Sequence, residues 1–229
     1  MHFGFKGDFS PLFRAARVLA LTMLILIPVQ ILIFVIAPPP ETVEGFFDLF
    51  RQHPFLGLLS LDFIYLFNNA ILIIIYLALF ITLYQERPAM ILSAFVIGLI
   101  GIACYYPSNP AFEMLTLSSQ YYNAAPTQLG IYLAAGEGLM AGYSGTTFNT
   151  YYVLSTICLL LFAYAIYKSP KFKNAIGIWG LISGFFMIIP SSVGMIGIIF
   201  SLLSLIPWMV FIVLLMASFK TLSKTPNLT

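Results

Sequence analysis

Six runs of apolar residues, separated by short polar or Pro/Gly-rich breaks, dominate the chain. A helix of about 20 apolar residues, rising about 1.5 Å per residue, crosses a hydrocarbon layer of about 30 Å, and the six runs are close to this length or exceed it. The pattern predicts an all-α fold, a polytopic membrane helix bundle with six transmembrane helices in one membrane domain spanning residues 1–229. The predicted spans are 18–37, 55–84, 88–106, 146–167, 172–189 and 193–219.

Lysine and arginine are distributed unevenly over the connections between these runs. With the N-terminus in the cytoplasm, nine of the ten Lys and Arg residues fall on the cytoplasmic side and Arg51 alone falls outside. Cytoplasmic loops carry the excess of Lys and Arg, so both termini are predicted to be cytoplasmic. The first run ends in three prolines without a small-residue cleavage pattern, and we expect it to remain as a signal anchor.

The segment 107–145 is predicted to form a cap on the outer face of the bundle. It contains no Lys or Arg, and apolar residues recur in it at helical spacing. Asn109 followed by Pro110 is typical of a helix start, and a second start is predicted at Pro126. Glycines from Gly136 onward are expected to break up the second helix. We predict two short helices, and because long loops in compact proteins are usually functional, this cap is a candidate site.

Asp62 is the one ionisable residue within a predicted span. At helical spacing it shares a face with Tyr65, Asn69 and Tyr76, and we call this face the Asp62 stripe. An ionisable group in a membrane helix is a functional hypothesis, because an unpaired charge is costly there. The alternative is a carboxylate in the headgroup layer, or one that hydrogen-bonds a neighbouring helix.

A second polar face occurs on the fourth predicted span, where Asn149, Tyr152 and Thr156 align. Together with the Asp62 stripe and the cap carboxylates Glu113 and Glu137, this face could line a cavity open to the outside. An apolar wall with a few polar groups is the usual form of a small-molecule site. The alternative is that these groups hydrogen-bond between helices and leave no cavity.

Composition excludes several classes of protein. Apolar residues make up 61% of the chain and charged residues 8%, against roughly a quarter charged in soluble domains. A net charge of +2 gives no basic surface for nucleic acid. Two cysteines and two histidines predict neither a metal site nor a cofactor. Ser144 lies in a Gly-x-Ser-Gly pattern, but neither His2 nor His53 can serve it as a base, so no catalytic residue is predicted.

Several segments resemble a bacterial integral-membrane family of unknown function, domain of unknown function 4386. They are PSNPAFEMLTLSSQY at 107–121, LAAGE at 133–137, YSGTTFN at 143–149, KSPKFKNAIG at 168–177 and FSLLS at 200–204. The resemblance covers roughly residues 55–222 and implies a multi-pass protein of the bacterial inner membrane. The family pattern has a histidine where this chain has Asn149, so no metal or acid-base role is carried over to that position.

Two hypotheses about function follow from these residues. The first is a protein in the lipid bilayer that binds or moves a small amphipathic molecule or a lipid from the outer side, using the Asp62 stripe and the Asn149 face. The second is a non-enzymatic accessory or assembly subunit of a larger membrane complex, with other membrane proteins as partners. Beside these two, an intramembrane enzyme is a third and less favoured hypothesis, and it would require Glu113 or Glu137 for turnover.

Overall fold

The computed structural model describes residues 7–224, which form ten α-helices and one 3₁₀ turn, Pro126–Gln128. No strand occurs among these residues, which confirms the predicted all-α fold. The two chain ends, predicted to be cytoplasmic, lie outside the described residues, as do Lys6 and His2. The helices are α1 (Ser10–Ile36), α2 (Val43–Gln52), α3 (Pro54–Ser60), α4 (Phe63–Leu83), α5 (Pro88–Ser108), α6 (Ala111–Asn123), α7 (Leu129–Tyr143), α8 (Thr146–Lys168), α9 (Asn174–Phe186) and α10 (Gly194–Leu222).

Five segments of the described chain are long and apolar enough to cross a membrane. They are Ser10–Ile36, Phe63–Leu83, Pro88–Asn123, Pro126–Lys168 and Gly194–Leu222. Several apolar helices of membrane-spanning length agree with the prediction of a helical membrane protein, and five such segments are found where six were predicted. The helix in the fifth predicted span, α9, has 13 residues and therefore measures only about 20 Å.

Six helices pack side by side in a closed ring. Following the contacts from neighbour to neighbour, the order is α1, α4, α5, α8, α9, α10 and back to α1. The interior of the half farther from α6 and α7 is filled by apolar side chains. There Phe13 stacks on Phe219 with ring centroids 6.1 Å apart, and Tyr76 stacks on Phe162 at 5.5 Å. The other half is less completely filled.

Glycines bring α9 close to α8. A Cβ added at Gly177 would lie 2.5 Å from the backbone nitrogen of Tyr167, and one at Gly180 would lie 2.7 Å from the Cβ of Ala163. Membrane helices associate through such small residues, because van der Waals contact between backbones replaces the hydrophobic effect that is absent in lipid. The short helix α9 is thereby held within the ring.

The single helix predicted over 55–84 is wrong, because the chain breaks at Leu61 and Asp62 between α3 and α4. Asp62 has φ 59°, the left-handed conformation, and it is the one non-glycine residue with positive φ in the described chain. Two buried amides bind the carbonyls freed by the break: Asn109 Nδ2 donates to Leu61 O at 2.6 Å, and Gln30 Nε2 donates to Leu59 O at 3.0 Å. The break turns the start of α4 toward the bundle interior.

The cap contains α2 and α3 as well as α6 and α7. Helix α2 was not predicted from the sequence. It begins after Thr42, whose hydroxyl accepts from Gly45 N at 3.1 Å. Its phenylalanines pack into the apolar core of the cap. The expectation that glycines break the second cap helix is also wrong, since α7 continues through Gly136. This glycine instead lets α7 approach α2, because a Cβ there would lie 2.4 Å from Val43 Cγ1.

Candidate functional site

A cavity of about 330 Å³ lies inside the ring, on the side nearer the cap. It extends along α4 from Asp62 to Tyr76, a distance of about 20 Å at the helical rise. Apolar side chains such as Met23, Leu72 and Leu159 form much of its wall. The polar side chains that line it are Gln30, Asp62, Tyr65, Asn68, Asn69, Tyr76, Tyr105, Tyr151, Tyr152, Ser155, Ser191, Ser201 and Ser204.

Unpaired polar atoms are concentrated around this cavity. Within the described part of the chain, all buried side-chain atoms that lack a hydrogen-bond partner belong to cavity-lining residues: Gln30 Oε1, Asn68 Nδ2 and Oδ1, Asn69 Oδ1, Tyr105 Oη and Ser155 Oγ. The large majority of buried side-chain polar atoms in proteins have a hydrogen-bond partner. The cavity therefore offers hydrogen bonds to a polar group that enters it.

The amide nitrogens of two of these residues are engaged, and their oxygens are not. The side-chain nitrogen of Asn69 donates to Tyr65 O at 3.0 Å, one turn back along α4. The side-chain nitrogen of Gln30 donates to Leu59 O at 3.0 Å. Asn69 and Gln30 are only 1% and 2% exposed, so neither side chain has access to bulk water. Both carbonyl oxygens are left as free acceptors.

Asp62 lies at the end of the cavity nearest the cap. The hydroxyl of Tyr143, at the C-terminal end of α7, donates to Asp62 Oδ2. The backbone carbonyl of Asp62 accepts from Tyr65 N at 2.8 Å, which starts α4. The carboxylate is therefore held between the cap and the ring.

Tyrosine rings form the wall beside Asp62. Tyr105 lies between Tyr65 and Tyr151, with centroid distances of 6.5 Å and 4.8 Å. Farther along, the hydroxyls of Tyr152 and Ser201 are 2.7 Å apart and join α8 to α10. Amphipathic rings of this kind present both an apolar face and a hydroxyl to a ligand.

Four of the eight residues predicted for a binding site line the cavity together. They are Asp62, Tyr65, Asn69 and Tyr152. The two cap carboxylates do not join them, since Glu113 and Glu137 are exposed on α6 and α7. The Asp62 stripe was predicted on a continuous helix, whereas in the structure Asp62 precedes α4 and still faces the same space.

Asn149 and Thr156 lie outside the cavity, and both are engaged in packing. Asn149 Nδ2 donates to Gly145 O at 2.9 Å, while its Oδ1 accepts from Ser192 Oγ at 2.6 Å. The Thr156 hydroxyl lies 2.8 Å from Met187 O, just after α9. These bonds tie α8 to the segment between α9 and α10. Asn149 also borders a second, wide-open groove at the start of α8.

Several lining residues were not among those predicted from the sequence. Gln30 was detectable as a lone amide in an apolar run, and Asn68 is adjacent to a predicted residue. Tyr105 and Tyr151 lie near the outer ends of predicted spans, where tyrosine is typical of an interfacial anchor, whereas both line the cavity. Tyr143 gave no signal, because its contact with Asp62 joins residues 81 positions apart and depends on how the cap folds.

The cavity can bind by hydrogen bonds and aromatic contact, since it combines one carboxylate with neutral amides and hydroxyls. Among the described residues, no group of three or more His, Cys, Asp or Glu side chains could hold a metal ion. Comparison of the chain with protein-family models, curated proteins and solved structures finds no match.

Proposed function

We propose that this protein binds a small amphipathic molecule or a lipid in the cavity of the helix ring. The observation that carries the proposal is the concentration of unpaired, buried polar atoms around a space of about 330 Å³. Ligand sites for small molecules begin at roughly 300 Å³ and combine an apolar wall with a few convergent polar groups. Hydrogen bonding between helices accounts for Gln30 Nε2 and for the Tyr152–Ser201 pair, but it does not account for the unpaired atoms.

We propose that the ligand reaches the cavity from the bilayer, between α1 and α10. These helices meet at the far end of the ring through Phe13 and Phe219. Nearer the cap, Ile31 of α1 and Leu202 of α10 line the cavity and are also 37% and 57% exposed on the outside of the bundle. An apolar chain can lie against both residues while its polar end reaches the amides.

We further propose six crossings, with α9 as the fifth, in the inner membrane of a bacterium, and with both termini in the cytoplasm. The support is the clustering of basic residues such as Arg14, Arg87, Lys171 and Lys220 at the end of the ring opposite the cap. The resemblance to the bacterial membrane family of unknown function stays a prediction. Reporter fusions after Lys171 and within the α9–α10 connection test this topology, and a cytoplasmic signal from the second fusion would contradict it.

Fluorescence of Trp208, which lines the cavity, gives a direct test of binding. The chain has two tryptophans, so Trp179→Phe leaves Trp208 as the sole emitter. The protein is placed in lipid nanodiscs and titrated with an ω-bromooctanol, whose bromine quenches tryptophan on contact. Binding in the cavity gives saturable quenching, whereas mere partitioning of the probe into lipid gives quenching that rises linearly.

Two serine substitutions on α10 locate the effect. Ser201→Leu fills space beside Tyr152 and should remove the saturable component. Ser218→Leu is the matched control on the same helix, since Ser218 bonds Leu214 O within α10 and does not line the cavity. Saturation that is equal in both variants, or absent from the parent, would contradict the proposal. The accessory-subunit hypothesis stays a prediction, and a defined partner protein without cavity binding would favour it.

A further inference from the structure

The cavity carries one formal charge, and it is negative. Asp62 is the one charged side chain among its lining residues. Arg51 lies on the cap, over the aromatic ring of Tyr122. The remaining described Lys and Arg residues lie at the end of the helix ring opposite the cap. Within the described chain, Asp62 therefore has no cationic partner. Asp62 is only partly exposed, and a carboxylate shielded from water without a cation favours a ligand that brings one.

Five of the six unpaired polar atoms around the cavity can accept a hydrogen bond. They are the carbonyl oxygens of Gln30, Asn68 and Asn69 and the hydroxyls of Tyr105 and Ser155, while Asn68 Nδ2 and the two hydroxyls can also donate. The amide nitrogens of Gln30 and Asn69 each already donate one hydrogen bond. Asp62 accepts from Tyr143 at Oδ2 alone. These atoms are complemented by a ligand group that donates several hydrogen bonds. An ammonium group has three donors and no acceptor, as the lysine side chain illustrates.

The aromatic wall also suits a cation. The rings of Tyr65, Tyr105 and Tyr151 stand together next to Asp62. The cation–π pairs that the described chain makes for itself involve Tyr122, Tyr164 and Tyr167, and none of these lines the cavity. Aromatic faces attract cations, and the faces of the cavity tyrosines can therefore bind a cation from outside the chain.

We propose that the ligand is a protonated alkylamine, whose ammonium group binds between Asp62 and the amide oxygens of Gln30 and Asn69. Its apolar chain runs toward Ile31 and Leu202, where the cavity borders the bilayer. This assignment rests on the proposed function, because it names the chemical class of the ligand for the same cavity. An anionic headgroup is disfavoured, since the site would place it beside a carboxylate without a neutralising cation.

The test compares three probes of equal chain length in the Trp179→Phe background: an ω-bromooctylammonium, the ω-bromooctanol and an ω-bromooctyl sulfate. Saturable quenching of Trp208 gives the affinity for each. We expect the ammonium probe to bind about tenfold more tightly than the alcohol, as a charge-assisted hydrogen bond implies, and the sulfate to show no saturation. Comparison between protein variants removes differences in how the probes partition into lipid.

Three variants assign the preference to the carboxylate. Asp62→Asn should abolish the tenfold preference and leave binding of the alcohol. Glu137→Gln, an exposed carboxylate on the same helix as Tyr143, should leave the preference unchanged. Tyr143→Phe keeps the charge of Asp62 and should retain the preference, so its loss in that variant would show that the tyrosine–carboxylate pair is needed rather than the charge.

The failures of the two proposals are distinguishable. Saturable binding of the alcohol without preference for the ammonium probe, or a preference that survives in Asp62→Asn, overturns the amine assignment and leaves the cavity as a binding site. Absence of saturable quenching by any of the three probes overturns both proposals.

Discussion

At the scale of single residues, two buried asparagines show how differently an amide can be used. Asn109 donates from Nδ2 to Leu61 O, and its Oδ1 accepts from Ala111 N at 3.2 Å. Asn68 is 4% exposed, yet both atoms of its amide are unpaired. The first amide stabilises the fold, whereas the second costs stability in the unliganded protein, because a buried polar group without a partner is unfavourable.

Substitution of the two asparagines by leucine should therefore have opposite effects. Asn68→Leu keeps the branching of the side chain and removes the unpaired atoms, so we expect it to stabilise the protein by about 1 kcal/mol and to weaken probe binding. Asn109→Leu should destabilise it by about 1–3 kcal/mol, because Leu61 O loses its partner. Thermal unfolding in detergent checks both. Destabilisation by Asn68→Leu would argue that the amide serves the fold.

The left-handed conformation of Asp62 leads to a second prediction at the scale of single residues. At this position glycine should be more stable than alanine, because only alanine has a Cβ that the positive φ crowds, at about 1–2 kcal/mol. Ala70 is exposed within α4 and provides the control, since there Ala70→Gly should cost about 0.5–1 kcal/mol. Thermal unfolding of the variants Asp62→Gly, Asp62→Ala and Ala70→Gly measures these differences in stability. Equal stability of the two Asp62 variants would contradict the conformational argument.

At the scale of helices, the pattern of apolar residues predicts well where helices occur and poorly where they are interrupted. Apolar runs fix where a helix can cross lipid, and this property is local. The break before α4 is not local, since it carries neither glycine nor proline and depends on Gln30 and Asn109 from other helices. Gly136 shows the opposite error, because a residue typical of helix ends serves here to bring α7 against α2.

Close packing of α8 and α9 gives a prediction at this scale. Gly177→Ala should destabilise the protein by about 1–3 kcal/mol, because its Cβ would lie 2.5 Å from the backbone of Tyr167, which cannot rotate away. The control is Gly138→Ala on α7, where a Cβ meets nothing within 4 Å. That change should be neutral or stabilise by up to about 1 kcal/mol. Similar unfolding temperatures for the two variants would exclude backbone contact as the role of Gly177.

At the scale of the whole molecule, the candidate site forms only when the six helices close into a ring. Half of the predicted residues line the cavity, because Tyr65 and Asn69 face one side of α4 whatever surrounds it and Asp62 directly precedes that helix. The sequence could not separate Tyr152 from Asn149 and Thr156, which share a face of α8 and differ only in the partners that α9 and α10 supply. The contact of Tyr143 with Asp62 likewise arises only in the folded cap.

Ligand binding should stabilise the whole ring, since the unfolded chain has no cavity. At a free probe concentration about 100 times the dissociation constant, we expect the free energy of unfolding to rise by about 2.7 kcal/mol. Thermal unfolding in nanodiscs at increasing concentrations of the ammonium probe measures this stabilisation. The same series in Ser201→Leu serves as the control, and an equal rise there would indicate a general effect of the probe on the bilayer.

Closure of the ring by α1 and α10 also bears on biogenesis. These are the earliest and latest of the described helices to leave the ribosome, yet they are neighbours in the finished protein. Gln30, Asn68 and Asn69 must therefore enter the bilayer while the wall that later shields them is still being synthesised. During that interval their amides face lipid or the insertion machinery, so a nascent chain paused before α10 is the form of this protein most dependent on a membrane chaperone.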